Sequence, residues 1–155
     1  MKTKLSYFIF NKRSDYERGH LENLRYNERG ISTDNTDTVG RGRFLSRVLD
    51  SGQADLSWHR LTFNISGNEA DAFKLTIYAA NSLQFEREGT LYKIDELVRS
   101  NDFSLEEKLE FLEPYIQKQT VGIKDVLLHE VVGRYLWIVL EMYPQGNEEM
   151  SISNI

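Results

Sequence analysis

The run Gly133-Arg134-Tyr135-Leu136-Trp137-Ile138-Val139-Leu140-Glu141-Met142 is the most apolar stretch of the chain. Read at the two-residue period of a strand, it puts Tyr135, Trp137 and Val139 on one face and Leu136, Ile138, Leu140 and Met142 on the other. A strand apolar on both faces is central to its sheet and has cover on both sides. The fold must therefore supply two layers against this one segment. With 155 residues and no cysteine, it must do so without a disulfide frame, a thiolate zinc site or a cysteine nucleophile. That length suits about one domain, residues 1–155, burying roughly two-thirds of its unfolded surface.

Other segments show the same alternation. Phe44 to Leu49 is rich in strand formers and stops at the turn Asp50-Ser51-Gly52. Trp58 to Ile65 places His59, Leu61, Phe63 and Ile65 on one face and Trp58, Arg60, Thr62 and Asn64 on the other. After Ser66-Gly67-Asn68, Phe73, Leu75, Ile77 and Ala79 alternate with Lys74, Thr76 and Tyr78. These two runs read as an antiparallel pair. Leu21 to Tyr26 reads as a short half-buried strand, and Met150 to Ile155 as a last strand. The polar runs at Asp34 to Gly40 and Pro144 to Asn147 read as turns. Between about 85 and 120 the period lengthens. Ser104-Leu105-Glu106-Glu107 is a capping box, and Leu105, Leu109, Leu112 and Ile116 form a helical stripe. Pro114 ends or kinks that helix near Glu113. The expected fold is mainly β, an antiparallel, jelly-roll-like β-sandwich with a helical insertion at about 85–120.

Charge and spacing exclude several chemistries. Lys and Arg number 19 against 24 Asp and Glu, a net charge of −5, which argues against a nucleic-acid partner. The basic cluster Arg41, Arg43 and Arg47 reads as a solvated strand face, and Glu106, Glu107 and Glu110 as a solvated helix face. No run approaches the ~20 apolar residues of a membrane helix, so the expectation is a soluble chain made in the cytoplasm with no membrane partner. His20, His59 and His129 lack zinc-ligand spacing, and His59 reads as a satisfied, partly buried side chain. Gly40-Arg41-Gly42 is no P-loop, and Asp34 and Asp37 fit no EF-hand. No metal or cofactor is expected. Paired carboxylates for a hydrolase carry almost no specificity among so many acids. Trp58 and Tyr78 fall on outer strand faces and form a candidate platform for a glycan, or else lie beneath other protein.

The block Arg43 to Gly52 is followed, after five residues, by Trp58-His59-Arg60-Leu61, and much later by Gly133-Arg134-Tyr135-Leu136-Trp137. This ordered set resembles the N-terminal β-sandwich region of a family of phage tail proteins found in prophages and phage-tail-like contractile particles. The resemblance covers roughly residues 40–80 and 125–155, with 85–120 as a family-variable insertion. In longer members the last strand runs on into a region similar to tail protein I, a baseplate component. The chain is thus expected to be the N-terminal part of a longer protein, or a short relative.

The resemblance implies a structural, non-enzymatic role in the tail of a virion or a related particle, through contacts with other tail or baseplate proteins. It brings no catalytic residues. Trp58, His59, Arg60, Gly133, Arg134, Tyr135 and Trp137 are the expected core or interface residues. The alternative is a carbohydrate-binding module that recognises a cell-surface glycan through Trp58 and Tyr78.

Overall fold

The computed structural model describes residues 7–28, 30–33, 41–67, 72–144 and 150–155. The polar run 34–40, with Asp34 and Asp37, and most of the turn after Pro144 lie outside the described residues. The chain order is α1 (Arg13–Glu17), β1 (His20–Glu22), β2 (Leu24–Asn27), β3 (Gly30–Thr33), β4 (Gly42–Leu45), β5 (Leu49–Asp50), β6 (Arg60–Thr62) and β7 (Asn64–Ser66). There follow β8 (Ala72–Ala80), β9 (Gln84–Arg87), β10 (Thr90–Lys93), α2 (Ile94–Arg99), α3 (Leu105–Leu112), a 3-10 turn (Glu113–Tyr115), β11 (Ile116–Val121), β12 (Asp125–Leu127), β13 (Tyr135–Tyr143) and β14 (Ser151–Ser153).

Strand β13 is central, as its sequence requires. It lies between β4 and β8 in a six-stranded antiparallel sheet of order β1-β4-β13-β8-β11, and β5 also pairs with it. A second, four-stranded antiparallel sheet has the order β2-β3-β14-β7. The two sheets share one core: Phe44, Leu75, Ile77, Leu136, Ile138, Leu140 and Met142 meet Ile31, Met150 and Ile152. The opposite face of the large sheet presents Leu45, Tyr78, Trp137 and Val139 to Ile94, Leu97, Val98, Leu105 and Leu112 of the helices. The chain is mainly β, with the helices as a third layer.

The helix signals hold locally. Ser104 Oγ accepts from Glu107 N and the Glu107 carboxylate accepts from Ser104 N, both at 3.2 Å. Helix α3 ends at Leu112, and Pro114 sits in the 3-10 turn that follows, where its missing N–H costs least.

Four expectations are corrected. The segment 85–120 is not helical throughout. It opens with the hairpin β9–β10 and closes with β11, an edge strand of the large sheet. The run from Trp58 to Ile65 is not one strand: it breaks at Phe63, β6 pairs with β12, and β7 pairs with β14. It therefore does not pair with the run that became β8. Leu21 to Tyr26 divides at Asn23, whose φ of 57° turns the chain between β1 and β2. Arg43 is no solvated residue. It is only 5% exposed, and its guanidinium donates to both Glu22 oxygens at 2.9 and 3.1 Å and to Glu106 at 2.8 Å. Strand β4 lies inside the sheet on the face the helices cover, so the charge is enclosed and must be paired there.

Candidate functional site

The blocks Arg43 to Gly52, Trp58 to Leu61 and Gly133 to Trp137 close on one another. Strand β5 pairs with the start of β13, which puts Asp50 opposite Tyr135. Asp50 accepts two hydrogen bonds from the Arg134 guanidinium, at 2.8 and 3.0 Å, and one from Gly52 N at 2.8 Å. These donors, Arg134 first, hold its carboxyl below the usual carboxylate range. Gly52 takes the left-handed φ of 79° that the turn needs. Arg134 stands 5.0 Å over the ring of Tyr135. Gly133 donates from N to Leu56 O at 2.9 Å and accepts at O from Trp58 Nε1 at 2.8 Å. Trp58 is half-buried, and the Phe8 ring lies 5.9 Å from it.

Asn81 locks this knot. Its Oδ1 accepts from Asp55 N at 2.9 Å and from Arg134 N at 3.0 Å, and its Nδ2 donates to Asp55 Oδ1 at 2.7 Å. No local signal marks it, because its partners lie 26 and 53 residues away.

The other expected residues are scattered. His59 is exposed, not partly buried. Regular strand begins only at Arg60, so the alternation does not carry His59 to the core. Arg60 donates to Asp125 across the β6–β12 ribbon, with Nε to Oδ1 at 2.6 Å. Trp137 is fully buried and stacks on Tyr78, with ring centres 5.6 Å apart and planes 10° from parallel. Tyr78 is 3% exposed, and burial pushes its hydroxyl pKa up to about 12. It lies beneath the helical layer, so Trp58 and Tyr78 form no joint surface for a glycan. The helices that the sequence placed as an insertion cover the sheet face on which Tyr78 stands.

A cleft of about 320 Å³ opens beside the knot. Its walls are the turn Asn81 to Gln84, Lys93 and Asp95 where β10 passes into α2, and Tyr135 at the start of β13. Gln84 and Lys93 stand directly opposite each other in the β9–β10 ladder, so their side chains share a face. Ile94 N donates to Leu83 O at 2.7 Å and fixes the hairpin against the turn. The sequence gives no periodic signal for this grouping.

A second titratable cluster lies under α3. Lys108 is 1% exposed, and its ammonium donates to Val98 O and meets His20 Nδ1, each at 2.9 Å. Burial lowers the pKa of Lys108, and burial followed by the Lys108 charge lowers that of His20. Among the described residues no group of three His, Asp or Glu side chains is placed to hold a metal ion. Among them, too, no helix is long and apolar enough to cross a membrane. No protein-family model, no curated protein and no solved structure matches the chain.

Proposed function

We propose that the chain is a structural, non-enzymatic component of a phage tail or phage-tail-like particle, acting through contacts with other tail or baseplate proteins. The observation that carries this reading is the knot formed by Asp50, Trp58, Gly133 and Arg134. The resemblance rests on blocks lying far apart in sequence, and hydrogen bonds spanning 75 and 84 residues join them. The shared residues thus act together as a scaffold, which is what a resemblance between assembly subunits would mark. Val121, Ile123, Leu127 and Val132 add exposed apolar surface, with Val132 and Leu127 tied to β11 through Gln117 and Lys118. Such groups are material for a protein–protein contact.

The test is assembly. Tails purified from a strain carrying the tagged chain should hold it in fixed proportion through sedimentation. A deletion should leave tails incomplete or non-infectious. Fully assembled, infectious tails from the deletion strain would overturn the proposal.

A further inference from the structure

Strand β11 leaves one hydrogen-bonding edge of the large sheet open. It stands last in the order β1-β4-β13-β8-β11 and pairs with β8 alone. Its six residues, Ile116–Val121, make it the longest edge strand among the described residues; β1 and β7 have three and β2 has four. The register fixes which backbone groups point outward. Val121 lies opposite Lys74, and one step further Gly122 N donates to Phe73 O at 3.0 Å. In an antiparallel ladder, pairs that exchange both backbone bonds alternate with pairs that exchange none. Gly122, Thr120 and Lys118 therefore bond inward to β8, and the N–H and C=O of Gln119 and Val121 point away from the sheet. Among the described residues no group takes them up.

Soluble chains guard such an edge with charge, proline or a bulge. The bulge in β11 lies at its start, between Ile116 and Lys118, and leaves Lys118 to Val121 regular. The one charge is Lys118, whose ammonium is turned to Glu130 and, at 3.1 Å, to Leu127 O. Gln119 and Val121 are uncharged and exposed, Val121 at 68%.

A second copy of the same strand completes this edge without conflict. Two antiparallel β11 strands related by a two-fold axis at Thr120 set Gln119 of each copy opposite Val121 of the other. Both residues carry outward groups, so the seam makes four backbone hydrogen bonds. Lys118 comes opposite Gly122, and Thr120 opposite Thr120, so no like charges face each other across the seam. A shift of one residue would set outward groups against inward ones. The axis at Gln119 would require Gln117, which the bulge displaces and which is bonded to both backbone groups of Val132. Such a two-fold contact is closed, since each copy spends its edge once.

We propose that two copies of the chain associate through β11, joining their six-stranded sheets edge to edge into one continuous sheet. This does not rest on the tail assignment: the mass of the purified chain tests the one, and the deletion strain the other.

Sedimentation equilibrium of the purified full chain between about 1 and 500 µM should show monomer and dimer and no larger species. Amide hydrogen exchange followed by NMR on the same samples gives the position of the seam. The amides of Gln119 and Val121 should become protected as the concentration rises, while those of Lys118 and Thr120, bonded to β8 throughout, change little. Val121→Lys alters an exposed side chain and sets like charges diagonally across the seam. Gln119→Pro deletes an outward N–H, a place where an edge strand tolerates proline. Each should weaken dimerisation at least about tenfold, with an unchanged far-UV spectrum reporting an intact fold. A chain that stays monomeric throughout overturns the proposal and leaves this edge to a strand of another protein. Dimerisation undiminished in both variants, or Gln119 and Val121 amides that exchange equally fast at both ends of the range, overturns it by placing any contact on another face.

Discussion

Replacing Gly133 by alanine measures how tightly the two motif blocks are joined. A Cβ at Gly133 would lie 2.8 Å from Ala80 N and 3.1 Å from both Ala80 C and Ala80 O. All three are backbone atoms of β8, and Ala80 is paired to Tyr135 in the ladder. The strand cannot yield without disturbing that register, so Gly133 must move instead. Its movement strains two bonds, N–H to Leu56 O and the Trp58 indole to its own carbonyl. Overpacking costs about 1–3 kcal/mol, and each hydrogen bond adds about 1 kcal/mol when broken. The expected loss is about 3 kcal/mol, or a fall in Tm of roughly 6–12 °C for a chain of this size. Gly52 is the control. It has a φ of 79°, and no atom beyond its own chain neighbours lies within 4 Å of the place a Cβ would take, so Gly52→Ala meets only the left-handed backbone penalty of about 1–2 kcal/mol. Urea unfolding followed by tryptophan emission reads both variants, since Trp58 lies in the knot and Trp137 in the core. A loss at Gly133 equal to or smaller than the loss at Gly52 would refute the close-approach argument.

Trp58→Phe keeps an aromatic ring and removes the donor to Gly133 O, so it should cost about 1 kcal/mol by urea unfolding. In the Gly133→Ala background that cost should shrink, because the bond is already strained. Ser104→Ala removes the cap of α3 and should cost about 1 kcal/mol; a neutral result by thermal melting would mean the cap is not formed in solution. His20 has a folded-state pKa held below its ordinary 6.5 by burial and by Lys108, with Arg43 acting in the same direction and Glu22 against it. On acidification the unfolded chain therefore takes up the proton first. The associated stability is present above pH 6.5 and lost as pH falls through the folded value, with a slope of at most about 1.4 kcal/mol per pH unit. His20→Gln should flatten the stability profile between about pH 7 and pH 5, and a slope unchanged in that variant would count against His20 as its source.

What could be read in the sequence had local causes. The two faces of β13 are set by side-chain alternation within one segment, and both are buried as that pattern requires. The Ser104 box and the stop at Pro114 involve neighbours within one turn. The break at Phe63 has no such cause. Alternation runs through it unchanged, and only the choice of partners, β12 for β6 and β14 for β7, separates the strands. The hairpin β9–β10 was hidden differently. Its loop is Glu88-Gly89, with φ of 51° and 80°, a mirror-image turn built without the usual Asn or Asp. The charges around it resemble a helix surface, while Phe85 and Tyr92, paired across the ladder and stacked at 5.3 Å, carry the strand signal at a separation no local period covers.

The same distinction separates the frame of this molecule from its cleft. The knot was approachable from the sequence because Asp-Ser-Gly, Trp-His-Arg-Leu and Gly-Arg-Tyr-Leu-Trp are compact blocks, each with its own turn or strand logic. The cleft is made of a cross-strand pair, a helix-entry carboxylate and a turn serine. Each of these, taken alone, is an ordinary surface residue. A resemblance carried by the knot is therefore informative about the scaffold and silent about Gln84, Lys93 and Asp95. Tyr135 and Asn81 belong to both: Arg134 stands over the Tyr135 ring, Asn81 bonds Asp55 and Arg134 N, and both residues line the cleft. The Asp50–Arg134–Tyr135 stack is one join between scaffold and cleft, and Asn81 is a second. Asp50→Asn, which loosens the bidentate pair, should lower the urea midpoint. An unchanged midpoint would mean that this exposed pair is screened by water and does not hold the two blocks together.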